Sequence, residues 1–418
     1  MKTFHIAHTT TPGDGLTKAR PLDGRAFDAA IARIKADLAT SPKTPTRLLI
    51  GPGEYLTRAV APFANWDIEL DPKATLKLMD VHTQGFRHPT NYVIATAPYG
   101  STEGPAWLEN FSLTGGTLDC NWPAQSGRTH PGEKFGGVWS VSARTTIRNV
   151  RVINFGSNGL TVPGAAQWEY AEVFPIVGET YADESTRIRI ENCTVELQHR
   201  YQGGYATAIN VITTQDRPVK EFNGSFRDLG DRFKWDVPRK SLAALVLKNR
   251  CVGIYGNAFG CGWAERVLFQ ENIAERCKTG SNIDTGRNRS IEFYRNQFLA
   301  CHQGLQIGQP WAGEFAEFKI RQNLFHLTGP WVNEDLQPPR TEYSHGIRLD
   351  TFPSKFEIED NTFLAWPAWD AKDGLYGIGF CNGAKEDGKL TGNRFVGVDS
   401  PIVRGVPFHL EQNRKLET

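Results

Sequence analysis

Two aspartates close matching glycine-led tracts, Gly280-Ser-Asn-Ile-Asp284 and Gly346-Ile-Arg-Leu-Asp350, and a third tract, Gly304-Leu-Gln-Ile-Gly308, lies between them. If the tracts are neighbouring parallel strands, both carboxylates fall in one row, about 10 Å apart at the backbone, with a bare glycine between them. Leaning side chains can bring such a pair to the roughly 6.5–9.5 Å that inverting cleavage of a glycosidic bond requires, one acid protonating the leaving oxygen and the other activating water. His302 precedes the middle tract, and His345 and Arg348 belong to the third. A histidine beside a carboxylate pair tunes its protonation or bonds a hydroxyl. The expected catalytic set is therefore Asp284, Asp350 and His302. The expected substrate-binding set is Arg348, His345, Lys248, Asn282, Gln306 and Trp331, with Lys248 ending Ala244-Leu-Val-Leu-Lys248 in the row of the aspartates and the Trp331 ring as a platform for a sugar face. Asp and Arg on the outside of a sheet are also commonly solvated or salt-bridged, and that alternative stays open here.

The elements that must hold these side chains repeat. A fourth tract, Gly377-Ile-Gly-Phe-Cys381, has the same shape, and each tract follows an Asn-containing strand of the type Ile291-Glu-Phe-Tyr-Arg-Asn296. A strand–turn–strand unit of this kind cannot bury its apolar face alone, so units must stack. The expected fold is all-β, a right-handed parallel β-helix (a solenoid). With a side-chain period of two, the first and third residues after each glycine point inward (Ser281/Ile283, Leu305/Ile307, Ile347/Leu349, Ile378/Phe380). Asn149, Asn192, Asn272, Asn296, Asn323, Asn361, Asn393 and Asn413 recur in matching contexts and predict a ladder of amides bonded from coil to coil.

Residues 1–110 are expected to form an N-terminal cap and the first coils, and 111–418 the β-helix, with loop insertions near 213–240 and 327–344. Phe27, Ala30, Ile31, Ile34 and Leu38 follow helical spacing, with Asp23 placed to cap the helix. That amphipathic helix would cover an open sheet edge. The 47 Lys+Arg balance 46 Asp+Glu, which argues against a nucleic-acid partner recruited by bulk charge. No apolar run approaches the roughly 20 residues of a membrane span. The first residues lack a signal-peptide core, which points to the cytoplasm, or to secretion or the periplasm if a leader has been removed. Seven cysteines without CxxC spacing read as packing thiols, with Cys277 and Cys301 stacked. The chain is expected to be a monomer or homo-oligomer.

Cys301-His-Gln-Gly-Leu-Gln-Ile-Gly308 resembles the Gly-His-Gly-x-Ser-Ile-Gly segment of polygalacturonase-type glycoside hydrolases, and His345-Gly-Ile-Arg-Leu-Asp350 resembles their Asn-Gly-Ile-Arg-Ile-Lys segment. Gly115-Gly-Thr-Leu-Asp119 is similar to a tract of their early coils. Pro21–Ile31 followed by Gly51-Pro-Gly-Glu-Tyr55 is similar to the cap of the wider pectate-lyase-like superfamily. The resemblance implies a β-helix acting on glycans, with His302 and Arg348 in the positions of the family's histidine and arginine. It departs in two places. Lys278-Thr279 stands where the family has an Asp-Asp pair, and Asp350 replaces the lysine that helps grip a substrate carboxylate, which favours a neutral or differently charged sugar. The expected activity is hydrolysis of a poly- or oligosaccharide without a cofactor. The alternatives are a polysaccharide lyase, with Lys248 as base and Ca2+ between carboxylates, or a non-catalytic, tailspike-like glycan binder.

Overall fold

A computed structural model of the 418-residue chain describes residues 1–7, 24–63, 65–79, 92–95, 108–122, 136–140, 142–155, 158–162, 188–197, 206–211, 244–262, 266–285, 290–307, 317–329, 331–333, 340–342, 344–350, 355–365, 375–381, 388–398 and 400–406. Asp23, Asn413 and the 213–240 insertion lie outside these residues. The chain divides into two compact units, residues 1–229 with 233–245, and 230–232 with 246–418. Both are stacks of parallel coils, and from Trp66 onward each coil contributes one strand to each of three sheets.

In the first unit the first sheet pairs Lys2–Ile6, Thr46–Ile50, Trp66–Leu70, Leu108–Thr114, Ser142–Arg148 and Ile188–Glu191 in sequence, all parallel. The second sheet runs from Gly53–Thr57 to Thr194–Glu196, and the third from Tyr92–Ala95 to Ala206–Val211. Alternation sets which side is core: in Trp66–Leu70 and Ala74–Leu78 every odd residue of the strand is buried and every even one half-exposed. The helix Gly24–Leu38 lays Phe27, Ala30, Ile31, Ile34 and Leu38 inward, each at most 7% exposed, against the first strand of the second sheet. Asp28 on that helix accepts from the Thr57 hydroxyl at 2.8 Å and from the Arg58 amide, and burial raises its carboxyl above the usual range despite those bonds.

The second unit contains the glycine tracts. Its first sheet comprises Arg266–Gln270, Ser290–Tyr294, Glu317–Arg321, Lys355–Glu359 and Gly388–Thr391. Its second comprises Arg250–Val252, Ile273–Glu275, Gln297–Cys301, Leu324–Leu327, Thr362–Ala365 and Arg394–Val396. Its third comprises Gly256–Gly262, Thr279–Thr285, Gln303–Ile307, Ser344–Asp350, Leu375–Cys381 and Ser400–Val406. Phe298, Phe325, Phe363 and Phe395 stack inside the second sheet with centroids 4.8–4.9 Å apart, one ring per coil. Cys277 and Cys301 lie at neighbouring levels inside, as their equal offsets predict, and burial pushes the Cys301 thiol well up.

The asparagine ladder forms, with a corrected membership. Asn249, Asn272, Asn296, Asn323, Asn361 and Asn393 each follow a residue in the left-handed region (Lys248, Glu271, Arg295, Gln322, Asp360, Gly392). Each side-chain oxygen, from Asn272 to Asn393, accepts from the backbone amide and the side-chain amide of the asparagine one coil earlier, at 2.8–3.0 Å. Each side-chain nitrogen also donates to a carbonyl of the preceding coil. Asn149 and Asn192 stand apart. They occupy the left-handed position itself, at φ 56° and 53°, and pair with each other at 2.7 Å on the exposed side of the turn. The following residues there, Val150 and Cys193, are the buried ones.

Candidate active site

The third sheet of the second unit holds the predicted site residues in register. Asn282 pairs with Gln306, Gln306 with Arg348, and Arg348 with Gly379, so the row read from the tracts is real. The inward row, Ser281, Leu305, Ile347 and Ile378, is 0% exposed throughout. Asp284 and Asp350 occupy strands on either side of Gln303–Ile307, two residues beyond Asn282 and Arg348. Their carboxylates and Gly308 lie outside the described side chains and residues. At Asp284 the preceding strand shifts register, Gly260 facing Asn282 and Gly262 facing Thr285, which marks a bulge at the level of this aspartate.

The glycines break the alternation, and the break matters for the histidines. A Cβ on Gly280, Gly304 or Gly346 would meet the ring of Phe298, Phe325 or Phe363 at 2.2–2.4 Å, so these glycines face the core, as do the residues after them. Two consecutive inward positions reverse the parity for the residue before the glycine. His345 accordingly lies on the outer side, where its ring fills the space beside Gly379: an added Cβ there would sit 2.5 Å from His345 Cδ2. The column before the glycines, Thr279, Gln303, His345 and Tyr376, joins the Asn282–Arg348 row on that face. Thr279, Gln303 and Tyr376 were not picked out from the sequence, although their position one residue before each glycine is a usable signal once the parity reversal is known.

One residue earlier, at the corner between the second and third sheets, stand Lys278, His302 and Ser344. The polar groups of this region are covered: Lys278 is 8% exposed, His302 5%, Gln303 2%, His345 3% and Arg348 4%. His302 Nδ1 lies 2.8 Å from the carbonyl oxygen of Gly329. A carbonyl can only accept, so Nδ1 carries the proton and the neutral ring keeps its lone pair on Nε2. Burial lowers the His302 pKa to about 3; the Gly329 bond opposes that fall, and the charges of Lys278 and Arg348 add to it. The imidazole is neutral across the physiological range.

Between Leu327 and Ser344, Trp331–Asn333 pairs antiparallel with Arg340–Glu342 as a short ribbon. Trp331 opens the ribbon two residues after Gly329, and its ring lies outside the described side chains. Lys248 requires a correction. The strand before it, Ala244–Leu247, belongs to the first sheet, and Lys248 sits in the left-handed turn before Asn249, largely exposed and 3.6 Å from Glu271. It is not in the row of the aspartates, because a short apolar strand reads alike in all three sheets. Among the described residues no group of three or more His, Cys, Asp or Glu side chains is arranged to hold a metal ion.

The fold has counterparts among solved structures. The chain matches PfbA, a surface adhesin of Streptococcus pneumoniae, with a TM-score of 0.50 and 14% identity over 94% of this chain and 89% of that one. It also aligns with an endo-xylogalacturonan hydrolase from Aspergillus tubingensis (TM-score 0.49, 10% identity, 96% and 93% covered). A third alignment is with a Yersinia enterocolitica family 28 exopolygalacturonase (TM-score 0.47, 11% identity, 97% and 78% covered). The chain is a right-handed parallel β-helix. At these identities the likeness establishes the fold alone. No known family profile matches the sequence, and no curated protein does.

Proposed function

We propose that the outer face of the third sheet in the second unit is the active site of a carbohydrate-active enzyme that cleaves glycosidic bonds by inverting acid/base hydrolysis. The observation that carries this reading is the unbroken pairing Asn282–Gln306–Arg348, which sets the strand positions of Asp284 and Asp350 two steps apart, about 10 Å at the backbone. One aspartate protonates the glycosidic oxygen while the other draws a proton from the attacking water. Arg348, Asn282 and Gln306 bond sugar hydroxyls from the same row, His345 supports them from the adjacent column, and Trp331 borders the site. A poly- or oligosaccharide is the substrate.

A panel of polysaccharides with product analysis tests this, using the Asp284→Asn and Asp350→Asn variants on whichever glycan is turned over. Each variant should lose at least ~100-fold in kcat while still binding glycan, and the wild type should release a product of inverted anomeric configuration. Full turnover by both variants would refute the assignment. Binding with no turnover by the wild type would favour a glycan-binding role.

A second reading, β-elimination on a uronic-acid polymer, draws support from Lys278, a nearly buried lysine whose charge, with that of Arg348, bears on His302. Lys278 replaces Lys248 as the candidate base. Ultraviolet absorption by an unsaturated product distinguishes elimination from hydrolysis.

A further inference from the structure

We propose that His302 is a positioning residue that staples both feet of the ribbon made by Trp331–Asn333 and Arg340–Glu342 to the corner of the third sheet, so that these two strands stand as a fixed wall beside the bound glycan. The wall's role rests on the reading of this face as a glycan site; the staple does not.

One residue holds both ends of the insertion. The His302 ring bonds the Gly329 carbonyl, two residues before the ribbon's first strand, at 2.8 Å. The backbone carbonyl of the same residue accepts from the Ser344 hydroxyl, two residues after the ribbon's second strand, at 2.5 Å. Gly329 turns at φ 100°, a conformation side-chain-bearing residues rarely adopt, so the foot is shaped to offer that carbonyl to the ring. His302 itself is fixed from below, its amide donating to Cys277 O at 3.3 Å. The ribbon contains the only antiparallel strand pair among the described residues, and a two-stranded ribbon alone is marginal in water. Its two feet are where the described hydrogen bonds hold it. Ring and carbonyl are buried together, where an unmade hydrogen bond costs most.

Two isosteric variants separate the staple from ring chemistry. In His302→Asn the side-chain amide nitrogen falls near the Nδ1 position and can still donate to Gly329 O. In His302→Gln it falls near the Nε2 position and cannot. The first readout is trypsin cleavage after Arg340 in the full-length protein, which needs no substrate. The second is KM on the glycan turned over best. His302→Asn should keep wild-type resistance at Arg340 and a KM within about twofold. His302→Gln should be cut about tenfold faster and show KM raised about tenfold, with kcat changed less, a loss worth about 1.4 kcal/mol. Ser344→Ala, a smaller change at the other foot, should move both readouts in the same direction by a smaller factor.

Unchanged cleavage in both His302→Gln and Ser344→Ala would overturn the staple. A collapse of kcat in His302→Asn with cleavage unchanged would replace it with chemistry at Nε2. Failure of the hydrolase reading would instead show in the aspartate variants, leaving the Arg340 readout intact.

Discussion

The imidazole of His345 occupies the space a side chain on Gly379 would need: a Cβ there would lie 2.5 Å from His345 Cδ2 and 2.9 Å from Nε2. Gly379 is the register partner of Arg348, and the same ring also leans on Tyr376, with centroids 5.1 Å apart. Gly379→Ala must therefore push His345 out of the row without disturbing the core. Glycan affinity should fall about tenfold, roughly 1.4 kcal/mol, while the urea midpoint moves little. Isothermal titration beside an unfolding curve checks this, and unchanged affinity would show that His345 does not contribute to binding.

Asn323 tests the ladder. Its oxygen accepts two bonds from Asn296 and its side-chain nitrogen donates to Asn361 and to Phe293 O, all between coils. Asn323→Ala takes the side-chain partner from the Asn296 amide and the Phe293 carbonyl on the preceding level and one of two donors from the Asn361 oxygen on the next, and should cost about 3 kcal/mol or more. Asn393, half-exposed and last in the described ladder, has solvent to compensate, so Asn393→Ala should cost about 1 kcal/mol. Chemical denaturation of the pair gives the difference directly.

The tract glycines and the ladder were legible because both obey simple spacing rules: a strand side chain repeats every two residues, and an interior amide must be satisfied in every coil. The row Asn282–Gln306–Arg348 followed from the first rule. The rule fails at the glycines themselves, where two successive residues face the core, so it turns the column Thr279, Gln303, His345 and Tyr376 to the wrong side. Asn149 and Asn192 were assigned to the ladder because an asparagine suits both the left-handed turn position and the buried one after it. Lys248 was misplaced because four apolar residues do not say which of three sheets they enter. The bond from His302 to Gly329 had no sequence signal, since its acceptor is a backbone carbonyl.

Gly304 separates the two kinds of glycine. A Cβ there would lie 2.4 Å from both Gly346 O and Phe325 Cδ1, and Phe325 is clamped between Phe298 and Phe363 at 4.9 and 4.8 Å. Neither obstacle can yield without moving a coil. Gly304→Ala should destabilise by about 3 kcal/mol, the upper part of the range for overpacking, whereas Gly379→Ala meets the side chain of His345 and no backbone within the nearest contacts. The contrast between the two urea midpoints is the measurement. Equal stabilities would mean that the phenylalanine stack does not depend on the missing Cβ.

His302 gives the fold a dependence on acid. Its pKa is lowered to about 3 in the folded protein, chiefly by burial, against about 6.5 in the unfolded chain. Between these values the unfolded chain binds a proton that the folded protein does not, so stability rises with pH through the window and is lost as pH falls from 6.5 towards 3. The full difference of about 3.5 pH units corresponds to at most ~5 kcal/mol. Asn cannot titrate, so His302→Asn should flatten the stability curve between pH 6.5 and 4 while keeping the bond to Gly329. Urea midpoints taken across that range for both proteins decide the matter: parallel curves would mean that His302 is protonated in the fold as readily as in the unfolded chain.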